Sequence, residues 1–219
     1  MTILYQDTDL IAFNKPASLP TQADETRDSS LLQLAEQALN TALFVVHRLD
    51  RPTSGIVVFA KHAQAAAALS QQFQSRETQK KYFAIVEKKP KTEAGTLVHF
   101  LAQNPANNKS FPVAEGSLNA KRAEMRFILR GSSDRYFLLE LALLTGRHHQ
   151  IRAQLSAIGC PIKGDVKYGA RRSNTDRSIH LHAAELTLTQ PTTGERLTLK
   201  AELPDKDALW QFFEDVISA

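Results

Sequence analysis

Apolar residues group at Ile3 to Tyr5 and again at Leu10 to Phe13, on either side of Gln6-Asp7-Thr8-Asp9. This pattern predicts an opening β-hairpin closed by Asn14-Lys15-Pro16. Leu31, Leu32, Ala35 and Leu39 then fall at helical spacing, with Asp28 as the expected N-cap and an end near Asn40. Val45-Val46 and Gly55 to Ala60 read as buried strands around a polar insert, His47 to Ser54. A second helix is expected from Ala63 to Arg76, where Leu69 and Phe73 share a face.

Alternation continues at Lys81 to Glu87, and Gly95 to Phe100, Lys121 to Leu129 and Tyr136 to Leu144 extend a strand-rich middle. Between them, Ala102 to Asn119 is rich in Asn, Pro and Gly and shows no period, so a long surface loop is expected. His148 to Ile158 reads as a helix with Ile151, Leu155 and Ile158 on one stripe and Gly159 as its stop. Strands at Ile179 to Leu188 and Arg196 to Leu199 precede a C-terminal helix bearing Leu209, Phe212, Phe213 and Val216. The sum is a single α+β domain over residues 1–219, with a mixed, largely antiparallel sheet and flanking helices.

Composition narrows the class. The 219 residues carry 27 Lys+Arg against 23 Asp+Glu, a formal charge of +4, too small on its own to name a polyanionic partner. The one cysteine, Cys160, leaves no intramolecular disulfide to form and points to a reducing, cytoplasmic setting. The N-terminus lacks a basic segment followed by an apolar core, and no apolar stretch approaches the roughly 20 residues of a membrane span.

Several chemistries lose ground because their motifs are missing: GxGxxG after a strand, GxxxxGK[ST], HExxH and paired CxxC. His180 and His182 are two apart on a strand and share a face, which could supply two metal ligands, but nothing in the sequence identifies a third. His148 and His149 read as polar residues at a helix start.

Three segments remain. His47-Arg48-Leu49-Asp50-Arg51-Pro52-Thr53-Ser54-Gly55 is a charged insert between apolar strands. If its backbone is extended, Arg48 and Asp50 point one way and Leu49 the other. Arg48 and Arg51 would hold the Asp50 carboxylate ionised, fit to act as nucleophile or base. A solvated turn with a surface ion pair is the plain alternative. In Thr145-Gly146-Arg147-His148-His149-Gln150-Ile151-Arg152, Arg147 stands against the macrodipole at a helix start, a placement that an anion such as Asp50 or a phosphate would offset. Ile151 shares its stripe with Leu155, which marks it as core. In Gln79 to Val86, Tyr82 follows two lysines, which suits base stacking beside a phosphate, although a lone tyrosine is more often a plain sheet residue.

Taken together, Asn14-Lys15-Pro16, HRLDRPTSG, KKYFAIV, TGRHHQIR, Gly164-Asp165-Val166-Lys167-Tyr168-Gly169 and Leu181-His182-Ala183 resemble, in this order, the RNA pseudouridine synthases. Within that family they are similar to the branch that modifies uridines of large-subunit ribosomal RNA and tRNA (RluA-like). The resemblance implies a catalytic Asp50 with Arg147 as its ion-pair partner. It implies a Tyr82 that stacks on the target uracil and is a candidate for proton abstraction, an Ile151 that packs the other side, and an Arg48 that holds the space left by the flipped nucleotide. It further implies isomerisation of uridine in rRNA or tRNA by base flipping, with no cofactor and no metal, by a cytoplasmic monomer whose partner is RNA rather than a membrane or an obligate protein.

Family members often carry an N-terminal S4-like domain, and here the expectation is a catalytic body without one. Arg48, Arg51, Lys80, Lys81, Arg147 and Arg152 would then line a cationic cleft, with Lys163, Lys167, Arg171 and Arg172 close behind. Ala17-Ser18 replaces the usual small-residue-plus-glycine pair, Glu87-Lys88 stands where glycine is common, and Gln190 precedes Pro191 where histidine is common. Two rivals stay open: a non-catalytic RNA-binding module, and a metal-dependent hydrolase built on His180 and His182.

Overall fold

A computed structural model describes residues 2–25, 28–204 and 207–218. The chain divides into two compact units, Met1–Lys80 with His182–Lys206, and Lys81–Leu181 with Asp207–Ala219.

In the first unit, β1 (Thr2–Gln6) and β2 (Leu10–Lys15) form the expected hairpin. β2 pairs antiparallel with β4 (Ser54–Ala60), and the short β3 (Phe44–Val45) flanks β4. Every residue of β4 is buried, which accounts for its unbroken apolar run SGIVVFA. β10 (Leu181–Thr189) lies parallel to β4 and antiparallel to β11 (Arg196–Lys200). Two helices attend this unit. α1 (Leu31–Leu39) is capped by Ser30, whose hydroxyl accepts from the Gln33 N–H while the Gln33 side chain accepts from the Ser30 N–H. The expected cap, Asp28, instead pairs with Arg51. α2 (Ala63–Ser75) ends at Arg76 in the left-handed conformation, and its Ala65 and Leu69 pack with Leu10, Ile56, Val58 and Leu186 into one core.

The second unit is an antiparallel sheet in the order β5 (Gln79–Val86), β9 (Phe137–Leu143), β8 (Lys121–Ser132), β6 (Ala94–Asn104) and β7 (Lys109–Val113). Two expectations fail here for physical reasons. The segment Ala102 to Asn119 is not a long loop, because β6 runs to Asn104 and turns through Pro105 to Asn108 into β7. Its Asn and Pro content hid the strand, since Pro112 is tolerated on a strand that pairs on one side only. The C-terminal helix is broken at Phe213 into α4 (Ala208–Phe212), capped by the Asp207 carboxylate, and α5 (Glu214–Ser218). α3 (Gln150–Ala157) starts two residues later than its sequence suggests, since His149 has φ 49°. Its Ile151 and Leu155 enter a core with Met125, Phe127, Leu139 and Leu141. A 3-10 turn, Val166–Tyr168, completes the unit.

The mixed, largely antiparallel sheet read from the sequence is therefore present, with β4 and β10 its parallel pair.

Candidate functional site

The polar insert of the first unit is irregular backbone leading from β3 to β4, and it is fixed from below. Leu49 is buried while Arg48 is exposed and Asp50 half-buried, the alternation expected of an extended stretch. The buried Thr21 hydroxyl accepts from the Leu49 N–H at 3.2 Å and donates to the Leu49 carbonyl at 3.0 Å, clamping the residue before Asp50. The Asp50 carbonyl accepts from the Thr53 N–H at 3.0 Å, closing a turn through Arg51 and Pro52. Arg51 grips the Asp24 carboxylate with two nitrogens, both at 3.1 Å, and reaches Asp28 at 2.8 Å.

Two residues beneath this insert were not singled out by their chemistry in the sequence. Lys15 is fully buried, and its ammonium donates to the carbonyls of Pro16 at 2.9 Å, Leu19 at 2.7 Å and Arg51 at 3.2 Å. Burial pushes its pKa down to about 7, the negative charge of Asp50 acts upward, and the positive charge of Arg51 acts downward. The signal available in sequence was a lysine at the end of an otherwise apolar strand. Gly55 has φ +111°, and a Cβ there would lie 2.2 Å from the Ala183 carbonyl oxygen. Only glycine allows the parallel pairing of Gly55 with Ala183 that follows the insert.

Next to that pair, the Ser54 hydroxyl meets His182 Nδ1 at 2.9 Å, and His182 Nε2 faces the Ala201 carbonyl at 3.5 Å. A nitrogen facing a carbonyl carries a proton, and because burial disfavours a second one, Nδ1 accepts from Ser54 at neutral pH. Burial, opposed by that carbonyl, lowers its pKa to about 4. His47, stacked on Phe73 with ring centroids 4.5 Å apart, accepts from the Val58 N–H at 2.9 Å. Burial, with the charge of Lys80 added, lowers its pKa to about 3. Lys80 itself lies 4.7 Å above the Phe73 ring, and burial lowers its pKa to about 8.

In the second unit, Gln150 positions Arg147. Its side-chain carbonyl accepts from the Arg147 N–H at 2.9 Å and from the Thr145 hydroxyl at 2.7 Å, and its amide donates to the Glu124 carbonyl at 3.0 Å. The Arg147 guanidinium donates through Nε to the Arg122 carbonyl at 3.0 Å. Tyr82 is half-buried on β5 opposite Leu141 and packs against the core that contains Ile151. Tyr82 and Ile151 thus belong to one apolar cluster.

Arg152 departs from its expected place among groove cations. Its guanidinium is buried and bonds Asp165 through Nε at 2.7 Å and a terminal nitrogen at 2.9 Å, lying 4.9 Å above the Tyr168 ring. Facing carboxylate and ring together draw the charge inward. The Tyr168 hydroxyl accepts from the Ser110 N–H at 2.8 Å and lies 2.9 Å from His149 Nδ1, which ties β7 to the start of α3.

The metal reading of the two histidines loses its support, because both nitrogens of each ring face protein partners. His180 meets Asn174 and Asp207, each at 3.1 Å, and His182 meets Ser54 and Ala201. The departures at Glu87 and Gln190 find partners, while Ser18 keeps the backbone of the glycine it replaces. Ser18 adopts φ 66°, a conformation glycine takes freely. The Glu87 carboxylate accepts from the Arg171 N–H, and the Gln190 amide bridges Asp7 and Asp9 at 3.1 and 2.8 Å.

Residues 9–157 match the family model described as RNA pseudouridylate synthase. A protein of Pectobacterium carotovorum subsp. carotovorum named tRNA pseudouridine synthase C is 35% identical, with 96% of this chain and 60% of that protein covered. A protein of Rickettsia typhi named ribosomal large subunit pseudouridine synthase C is 34% identical, with 92% of this chain and 68% of that protein covered. The chain thus spans only about two thirds of the length of these two relatives. Among solved structures, the human RNA Pseudouridylate Synthase Domain Containing 4 superposes with a TM-score of 0.77 at 29% identity, covering 99% of this chain and 92% of that one.

Proposed function

Since this chain belongs to the RNA pseudouridylate synthase family, we propose that it isomerises uridine to pseudouridine in structured RNA, rRNA or tRNA, with Asp50 as the catalytic carboxylate. The carrying observation is that the matched stretch, residues 9–157, contains every residue given a role: Arg48, Asp50, Tyr82, Arg147 and Ile151.

The C1′–N1 bond breaks and a C1′–C5 bond forms, while C5 loses its proton and N1 gains one. The exchange is redox-neutral and calls for no co-reactant. The target uridine must leave its stack to be reached, so an unpaired or loop uridine costs least. Asp50 serves either by attacking C1′ or within a glycal-type route in which a C2′ proton is removed. The clamp of Thr21 on Leu49 and the ammonium of Lys15 under the Arg51 carbonyl support this assignment, since both hold the Asp50 backbone in place before substrate arrives.

Tyr82 and Ile151, both part of the same apolar cluster, are assigned to the two faces of the uracil, with the Tyr82 hydroxyl a candidate to take a proton. Arg147, oriented by Gln150, is assigned to hold Asp50 anionic, and Arg48, exposed beside Asp50, to fill the gap left by the flipped nucleotide. A cytoplasmic setting agrees with a buried, free Cys160. Among the described residues, no helix is long and apolar enough to cross a membrane.

Asp50→Asn should abolish tritium release from RNA labelled at uracil C5, with an unchanged circular-dichroism spectrum and RNA affinity. Turnover retained by that variant removes Asp50 from the catalytic role.

A further inference from the structure

The second unit contains a cavity of about 390 Å³ that neither Tyr82 nor Ile151 lines. Leu101 and Pro105 supply apolar surface, while Gln103, Asn119 and His148 supply hydrogen-bonding groups and Lys121 and Arg147 supply charge. None of the residues lining it is acidic.

The charge is unspent. Elsewhere in this unit Arg122 is paired with Glu124, Arg130 with Glu140 and Arg152 with Asp165. Among the described residues of the unit, no carboxylate pairs with Lys121 or Arg147, and Arg147 commits only its Nε and backbone N–H to the protein. With Arg147 assigned to Asp50, Lys121 is left uncompensated at this concave surface and favours an anion there.

The walls are also fixed in advance. His148 Nδ1 lies 2.9 Å from the Ser110 hydroxyl, and the Ser110 N–H is held by Tyr168, so the β6–β7 hairpin and the start of α3 are bonded to each other. A preformed wall removes much of the ordering cost of binding. Volume, an apolar face, amide edges and cations together match one nucleotide: a cavity in the ~300–1,000 Å³ range, a surface for a base, polar groups for its edge and a site for its phosphate.

We propose that this cavity is a subsite for one nucleotide of the RNA strand flanking the target uridine, with the phosphate on Lys121 and the base against Leu101 and Pro105. The proposal rests on the isomerase reading for the identity of the strand.

The test uses binding rather than turnover. A fluorescein-labelled oligouridylate of about a dozen nucleotides is titrated at several salt concentrations against wild type, Lys121→Gln and Gln103→Trp. Lys121 and Gln103 are exposed on strands, so both variants should fold. Lys121→Gln should lower the slope of log affinity against log salt by about 0.7, the value for one contact with a single strand. Gln103→Trp, which fills the cavity without changing charge, should weaken binding several-fold at every salt concentration. Lys91→Gln, an exposed lysine outside the cavity, should leave the slope unchanged.

Tritium release by the wild type together with unaltered binding in Lys121→Gln and Gln103→Trp overturns the subsite alone. Altered binding without tritium release by the wild type supports the RNA subsite and overturns the isomerase reading.

Discussion

The two units solve one problem, holding a polar segment rigid, with opposite chemistry. Under Asp50 the first unit buries a lysine whose three acceptors are neutral carbonyls, and burial, only partly offset by Asp50, brings its pKa down to about 7. Behind Arg147 the second unit buries an arginine that meets a carboxylate through two parallel bonds and a ring face besides. Carbonyls tie the lysine to particular points of the backbone. The ion pair ties α3 to the Gly164 to Gly169 stretch, and each charge is costly without the other.

The comparison predicts unequal consequences. Asp165→Ala strands a buried guanidinium, and thermal or urea unfolding should show a loss of about 3–5 kcal/mol. A loss under about 1 kcal/mol would mean that Arg152 escapes to water and the pair is dispensable.

Acid should find the first unit before the second through His182. Its folded pKa of about 4 lies below its ordinary 6.5, so between those values the unfolded chain binds more protons. Stability from this group is present above pH 6.5 and is lost as pH falls toward 4, by about 3 kcal/mol. Measured against pH, His182→Gln should flatten that decline, and an unchanged slope would show that the ring is already charged.

At pH 7 the smallest net effect belongs to Lys15→Met. Three carbonyls lose a donor, at about 1–3 kcal/mol, but relief of a buried charge offsets part of this. Lys15 has a folded pKa of about 7 against an ordinary 10.5, so in that window the unfolded chain again binds more protons and stability rises with pH. Lys15→Met should remove that rise, and a wild-type curve that is flat from pH 7 to 10 would show that the carbonyls keep the lysine charged throughout.

Local signals carried far in this molecule. Alternation placed β2, β4, β5 and β9, because strand burial has period two or none, and both are visible in a linear string. The same alternation set Leu49 inward, with Arg48 exposed beside Asp50. Signals failed where turn chemistry competed with strand pairing, as at β6–β7, and where a backbone angle overrode helix propensity, as at His149. They failed more deeply for charge. Arg147 and Arg152 look equivalent in GRHHQIR, yet one lines a cavity and the other is buried on Asp165.

What the sequence by itself determined is most of the elements, their largely antiparallel arrangement and the family to which the motifs belong, since each depends on residue type at short spacing. Only the tertiary structure decided which charges are compensated. It brought Lys15 under the Arg51 carbonyl, Ala183 against Gly55 and Gln150 beneath Arg147, and it left Lys121 in a cavity without a carboxylate. Solvation and pairing depend on neighbours distant in the chain, and in one unit they quench a cation while in another place they leave it ready for a phosphate.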